Sequence, residues 1–288
     1  MGLASPHPLS VREGVGREGR EAVYGNSMKG RIVTRGGGLS VLVATGALAV
    51  GITTVASGQD DNYYYPLCRP IVTTNTILGN AGNNVLNGTP QSDLILALGG
   101  NDQADGQADR DCLLMGTGND HATGSGQGDR VFGEQGNDRV SGGEGNDRVD
   151  GDSGGDRVKG NPGRDRLNGE SGDDSVSGGP GNDRGNGGVG DDRVFGGSDN
   201  DRLGGGSGDD RVDGNSDRDG VSGGPGDDRV IGGTGRRDRM FGRTGNDRLN
   251  AVDNARDAIV NCGPGQDRAR IDFVDPVSRN CERVVRVP

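Results

Sequence analysis

The chain has 288 residues, of which 60 are glycine, none is tryptophan and 3% are aromatic; 28% are hydrophobic and the formal charge is -11. Without internal order such a composition reads as disordered, because too little apolar surface is available for a globular core. It argues against a conventional enzyme domain, and the acidic balance argues against nucleic acid as a partner.

The first expected element is a leader. Lys29, Arg31 and Arg35 precede an apolar, small-residue run from Leu39 to Ala56, with Thr54 and Ala56 at the spacing a signal peptidase accepts. Met28 is then the expected start and Met1 to Ser27, which has no periodicity, an upstream extension; the alternative start is Met1. An uncleaved anchor is the rival reading, since a run of 18 residues is near the lower limit for spanning. Its Gly and Thr content favours cleavage, so a secreted chain without stable membrane insertion is expected. Loss of residues 1–56 removes six basic and three acidic residues and takes the charge from -11 to -14. A short N-terminal cap follows over residues 57–78, with Tyr63, Tyr64 and Tyr65 and the strand-like stretch Ile71 to Leu78.

From Gly79 to Ile231 the chain repeats every nine residues for seventeen units, and the sixth position is Asp in sixteen of them, Asn84 being the exception. Gly142 to Asp150, Gly-Gly-Glu-Gly-Asn-Asp-Arg-Val-Asp, is a clean copy. After Ile231 the Asp spacing stretches to ten at Asp238, returns to nine at Asp247, and stretches again at Asp257 and Asp267. Residues 79–250 are therefore taken as the array, and 251–288 as degenerate repeats and a C-terminal cap. Gly fills the first position in seventeen of the nineteen units between Gly79 and Asn250, Ala97 and Met115 being the exceptions. Such a column signals a positive φ or a close approach to a neighbour. The eighth position carries one aliphatic per unit, Val140 and Val149 for example, enough to line a narrow interior but not to build a globular core.

These residues resemble the hemolysin-type calcium-binding (RTX) nonapeptides, written G-G-x-G-x-D-x-U-x with U a large aliphatic. The resemblance covers most of the chain. It implies an all-β fold, a parallel β-roll or β-solenoid with short N- and C-terminal caps, in which a six-residue turn and a three-residue strand form each unit and two units form a coil of eighteen residues.

The residues themselves also call for a metal. Burying one Val or Leu returns about 1.5 to 3 kcal/mol, too little to order nine residues at about 1 to 2 kcal/mol each. Asp side chains stacked about 4.8 Å apart also repel. A hard cation between turns removes both problems. Carboxylate and carbonyl oxygens suit Ca2+, whereas Mg2+ demands tighter geometry and holds its waters. With no Cys column and a single His, His121, in the array, a softer metal finds no ligands. The expected ligands are Asp120, Asp129, Asp138, Asp147, Asp156, Asp165, Asp174, Asp183, Asp192, Asp201, Asp210, Asp228 and Asp247, with the most regular block between Gly133 and Phe195. Asp199 and Asp217 replace the fourth-position Gly, and Gly185 and Gly220 stand where strand residues belong; these mark weaker units.

Position seven carries Arg in twelve units, among them Arg130, Arg148, Arg184 and Arg202. These form two strips that either balance the acidic turns or bind an anionic polymer or cell surface. Gly151 to Gly155 imitates a serine-protease loop, but lies in repeat register and has only His121 as a base. Gly185 to Gly190 fits a dinucleotide fingerprint by glycine density alone. No enzymatic activity is expected.

The cysteines are Cys68, Cys112, Cys262 and Cys281, an even count that suggests disulfides in an exported chain. Three pairings are possible. The nineteen-residue spacing of Cys262 and Cys281 is close to one coil and suits a bond in the C-terminal cap, which leaves Cys68 with Cys112 to tie the N-terminal cap to the early coils. The reading is a secreted repeat protein that folds on Ca2+ and acts as a structural or surface module; the alternative is a calcium-dependent adhesion or polyanion-binding protein. Oligomeric state is not legible.

Overall fold

A computed structural model of the chain describes residues 20–24, 28–32, 66–68, 71, 73–278 and 280–287. The chain divides into two units, Met1–Tyr63 and Tyr64–Pro288. In the first, Arg20–Tyr24 pairs antiparallel with Met28–Ile32. The expected leader from Leu39 to Ala56 and the three tyrosines lie outside the described residues.

The second unit is a parallel β-solenoid of two sheets, with twelve strands in one and eleven in the other. Up to Ile231 consecutive strands alternate between the sheets and each pairs with the strand eighteen residues before it, Val158 with Val140 in one sheet and Leu167 with Val149 in the other; beyond it the offset stretches to nineteen and twenty. Two nine-residue units therefore make one coil. The eighth-position side chains of both sheets point inward and form one long, narrow core, in which Val131, Val149, Val158, Val176, Val194 and Val212 are fully buried. At Gly185 the missing side chain leaves no gap of note, because Leu203, Val194 and Val176 close over it.

Many strands are longer than the three residues expected. Arg139–Glu144 and Arg193–Ser198 run through positions seven to nine and on into the next unit, while Arg130–Phe132 and Arg157–Lys159 keep the short form. Pairing continues into the glycine-rich start of the next turn, where the positive φ of Gly179 and Gly197 does not interrupt it. The stack also reaches past the array at both ends. Asn75–Asn80 pairs with Asp93–Leu98, and the last strands, Arg268–Asp272 and Arg283–Val287, pair parallel with each other.

The first coils carry a second apolar cluster outside the solenoid. Leu94, Leu96, Cys112, Leu114 and Phe132 project from the outer face of one sheet and are covered by Cys68 and Ile71. Cys68 is bonded to Cys112, with Cα atoms 5.6 Å apart, and Cys262 to Cys281, at 5.2 Å. Among the described residues no helix is long and apolar enough to cross a membrane.

Candidate metal centre

The turns are built from three columns. Each sixth-position Asp is held by the coil before it: the Asp138 N–H donates to Asp156 Oδ1 at 2.7 Å, and the Asp147 N–H to Asp165 Oδ1 at 2.8 Å. The Arg157 N–H in turn donates to the Asp138 carbonyl at 2.8 Å. These bonds occupy Oδ1 and leave Oδ2 buried without a partner. The first-position Gly explains where Oδ2 points. A Cβ on Gly133 would lie 2.6 Å from both Asp138 Oδ2 and the Gly151 carbonyl oxygen, so two oxygens of successive coils converge where a side chain cannot be. Buried oxygens that lack a donor are costly, and an oxygen-seeking cation is the partner their chemistry asks for.

The first-position glycines are therefore required for close approach. The positive φ belongs to positions two and four, as at Gly143 (φ 115) and Gly145 (φ 144). Asp199 and Asp217, expected to mark weaker units, adopt the same left-handed backbone at φ 75 and φ 74, which Asp tolerates better than most residues. Ala97 and Met115, the two first-position exceptions, are fully buried and join the core.

All thirteen expected ligands are buried and have the unpartnered Oδ2. Asp102, Asp111, Asp219, Asp238 and Asp267, outside the expected set, have it too. Asp93 differs, since its Oδ2 accepts from the Thr89 N–H at 2.5 Å and the Thr89 hydroxyl at 3.0 Å. Burial pushes these carboxyls above their ordinary range, to about 7 at Asp138, Asp165 and Asp174 and to about 8 at Asp129 and Asp219; the N–H of the preceding coil pulls each back and neighbouring carboxylates push it further. A bound cation reverses that cost by favouring the ionised form.

Position five holds a column that the nine-residue reading passes over as variable. In one stack of turns, interrupted at Gly155, the N–H donates to Oδ1 of the residue one coil earlier, Asn119 to Asn101 and Asp209 to Asp191, both at 2.9 Å. It runs opposite to the Asp column, so each turn is tied to both neighbours. The other stack mixes Arg110, Arg164, Arg218, Arg237 and Arg256 with Asn146, Asn182 and Asn200 at this position, and the same bond recurs there from the Arg164 N–H to Asn146 Oδ1 and from the Asn200 N–H to Asn182 Oδ1.

Position-seven arginines stack along the strands, Arg148 between Arg130 and Arg166. Arg148 pairs with Asp150 at 2.7 Å and Arg211 with Asp213 at 2.8 Å, the ion pairs found among the described residues. Of the enzyme-like strings, Ser153 donates its hydroxyl to the Glu134 carbonyl at 3.1 Å, and His121 lies in the other sheet. Gly185 to Val189 belongs to a strand, Arg184–Val189, paired with Arg202–Ser207, so it has no phosphate-binding turn.

A family model described as RTX calcium-binding nonapeptide repeat (4 copies) matches residues 78–113, 114–149, 150–185, 186–221, 204–237 and 232–251. No curated protein sequence matches the chain.

Proposed function

We propose that this chain, which belongs to the RTX calcium-binding nonapeptide-repeat family, is an exported, non-enzymatic structural module whose coils are ordered by Ca2+ held between stacked turns. The observation that carries the reading is the row of buried, unpartnered Asp Oδ2 atoms. Ca2+ would be held by these carboxylates, from Asp120 to Asp247, with first-position carbonyls such as that of Gly151 beside them. It would neutralise the stacked charge and lock successive coils. Export is supported by the apolar leader-like run and by four cysteines all engaged in disulfides. The test is a calcium titration of the full chain followed by far-ultraviolet circular dichroism. β structure should grow at about 0.1 to 1 mM calcium, the range of extracellular modules; a spectrum and melting temperature unchanged by chelator would refute the reading.

One observation favours adhesion as a second reading. A surface depression is lined by Arg164, Arg184, Arg202, Arg218 and Arg239 along the basic stack of turns. Retention on a polyanion resin in saturating calcium, weakened by Arg184→Gln with Arg202→Gln, would support it; passage of the wild-type chain through the resin would reject it.

A further inference from the structure

We propose that the two stretched turns near the C-terminal end form a calcium site of a different kind from the repeats, in which one ion is held by the carboxylates of Asp238, Asp253 and Asp257. This deepens the calcium reading, but it rests on a residue that the repeat does not contain. From Gly232 to Asp238 and from Ala251 to Asp257 each turn has seven residues, against six from Gly223 to Asp228. The longer turn gives Asp253 a place between two coils, outside the sixth-position column. Its Oδ2 accepts from the Gly235 N–H at 3.0 Å and its Oδ1 from the Ala255 N–H at 2.7 Å.

One oxygen from each of Asp238, Asp253 and Asp257 lies within 4.8 Å of the others, and among the described residues this is the one such trio. Asp238 is 1% exposed and Asp257 is 3% exposed, and Asp238 Oδ2 has no hydrogen-bond partner. Two neighbours brace the arrangement. Asp275 accepts from the N–H groups of Asp257 and Asp272, and Asp272 Oδ2 accepts from those of Asp253 and Asn254. Neither ion pair found among the described residues involves the trio. Three carboxylates in so small a volume, two of them buried, require a cation, and an all-oxygen set of this kind suits Ca2+. Asp253 is half-buried and lines a surface depression with Thr234, Gly235 and Ala255, which opens the site to solvent. More carboxylates per ion mean tighter binding, so this site fills before the repeats, where each turn contributes one sixth-position carboxylate.

The experiment counts ions on the full, disulfide-bonded chain by native mass spectrometry across a calcium titration. Asp253→Asn keeps one of the two oxygen acceptors, enough for the Ala255 N–H within the turn, and leaves every sixth-position Asp in place. It should lose one ion at saturation and shift the first-ion midpoint upward by at least about tenfold, while Asp217→Asn, which lines the same depression, should lose none. Unchanged stoichiometry and midpoint in Asp253→Asn, or an equal loss in Asp217→Asn, would overturn the proposal. A crystal of the wild-type chain with one equivalent of terbium gives a readout free of folding effects: density among the three carboxylates supports the site, and density only in the central turns rejects it. A wild-type chain that binds several ions while Asp253→Asn binds as many fails this inference alone; one that binds a single ion fails the repeat reading instead.

Discussion

In the coils from Asn75 to Phe132, apolar side chains lie on both sides of one sheet: Ile95 and Leu113 inside, Leu94, Leu96, Leu114 and Phe132 outside, beneath Cys68 and Ile71. From Gly133 to Ile231 the outer faces are mostly polar and the interior receives little beyond one aliphatic per nine residues. Both regions share the same register and the same buried, unpartnered Asp Oδ2 atoms, as at Asp111 and Asp147, yet the first also has apolar burial outside the sheet and a disulfide to hold it, which the second lacks. One backbone can thus be stabilised in two ways. The ends of a quasi-one-dimensional stack can then respond to calcium differently from its middle.

The contrast can be broken by substitutions in each region. Phe132→Ala empties a buried site in the outer cluster and should cost about 3 to 5 kcal/mol, by the same amount in calcium and in chelator; a loss seen only in calcium would place the first coils under the metal's control. Replacing Cys262 and Cys281 together with Ser should remove about 3 kcal/mol, felt mostly by neighbouring coils. Proteolysis after Phe241 should quicken while residues 133–195 stay protected in calcium; cleavage starting in that block would contradict the account.

Asp156→Ala sharpens the central half of the comparison. It removes a carboxylate from the turns stacked on either side, so the calcium midpoint should rise about tenfold, the equivalent of about 1.4 kcal/mol. In chelator the same change should cost only about 1 kcal/mol, because the lost acceptor of the Asp138 N–H is offset in part by removal of a buried unpartnered oxygen. Asp219→Ala should match it, since Asp219 has the same hydrogen bond and the same free Oδ2 despite its irregular unit.

The last effect concerns pH. Burial raises the folded-state pKa of the column from 3.8 to about 7 at Asp138 and about 8 at Asp129. The metal-free folded form therefore binds protons more tightly than the unfolded chain. Its stability is fully present below about pH 4 and is lost as pH rises through 7 to 8. With calcium the sign reverses, because protons compete with the ion, and the calcium midpoint should fall as pH rises from 5 to 8. A midpoint that does not move over that range would show that the column carboxyls do not titrate against calcium.

The inward eighth position and the Asp column could be read from the nine-residue period, because each is imposed by a contact repeated in every unit, and the parallel coil followed from the family resemblance that the period carries. The bonds of position five could not. They join residues eighteen apart, as Asn101 meets Asn119 and Asn182 meets Asn200, and Arg and Gly share the position with the Asn and Asp that make them. The outer cluster is not legible because Leu96, Leu114 and Phe132 stand at strand positions that are mostly polar elsewhere, Phe195, Ile231 and Phe241 apart, and only the covering segment at Cys68 buries them. Asp253 was hidden for another reason. It has no place in the repeat, and it reaches Asp238 only through a turn lengthened by one residue.

The central claim is that calcium orders the middle coils through the sixth-position carboxylates, and amide hydrogen exchange read by mass spectrometry tests it strand by strand. In calcium, exchange should be slow from Arg139 to Ile231. In chelator those amides should exchange freely, while the strands Asp93–Leu98 and Cys112–Leu114 keep their protection. Equal protection of the middle coils with and without calcium would contradict the account.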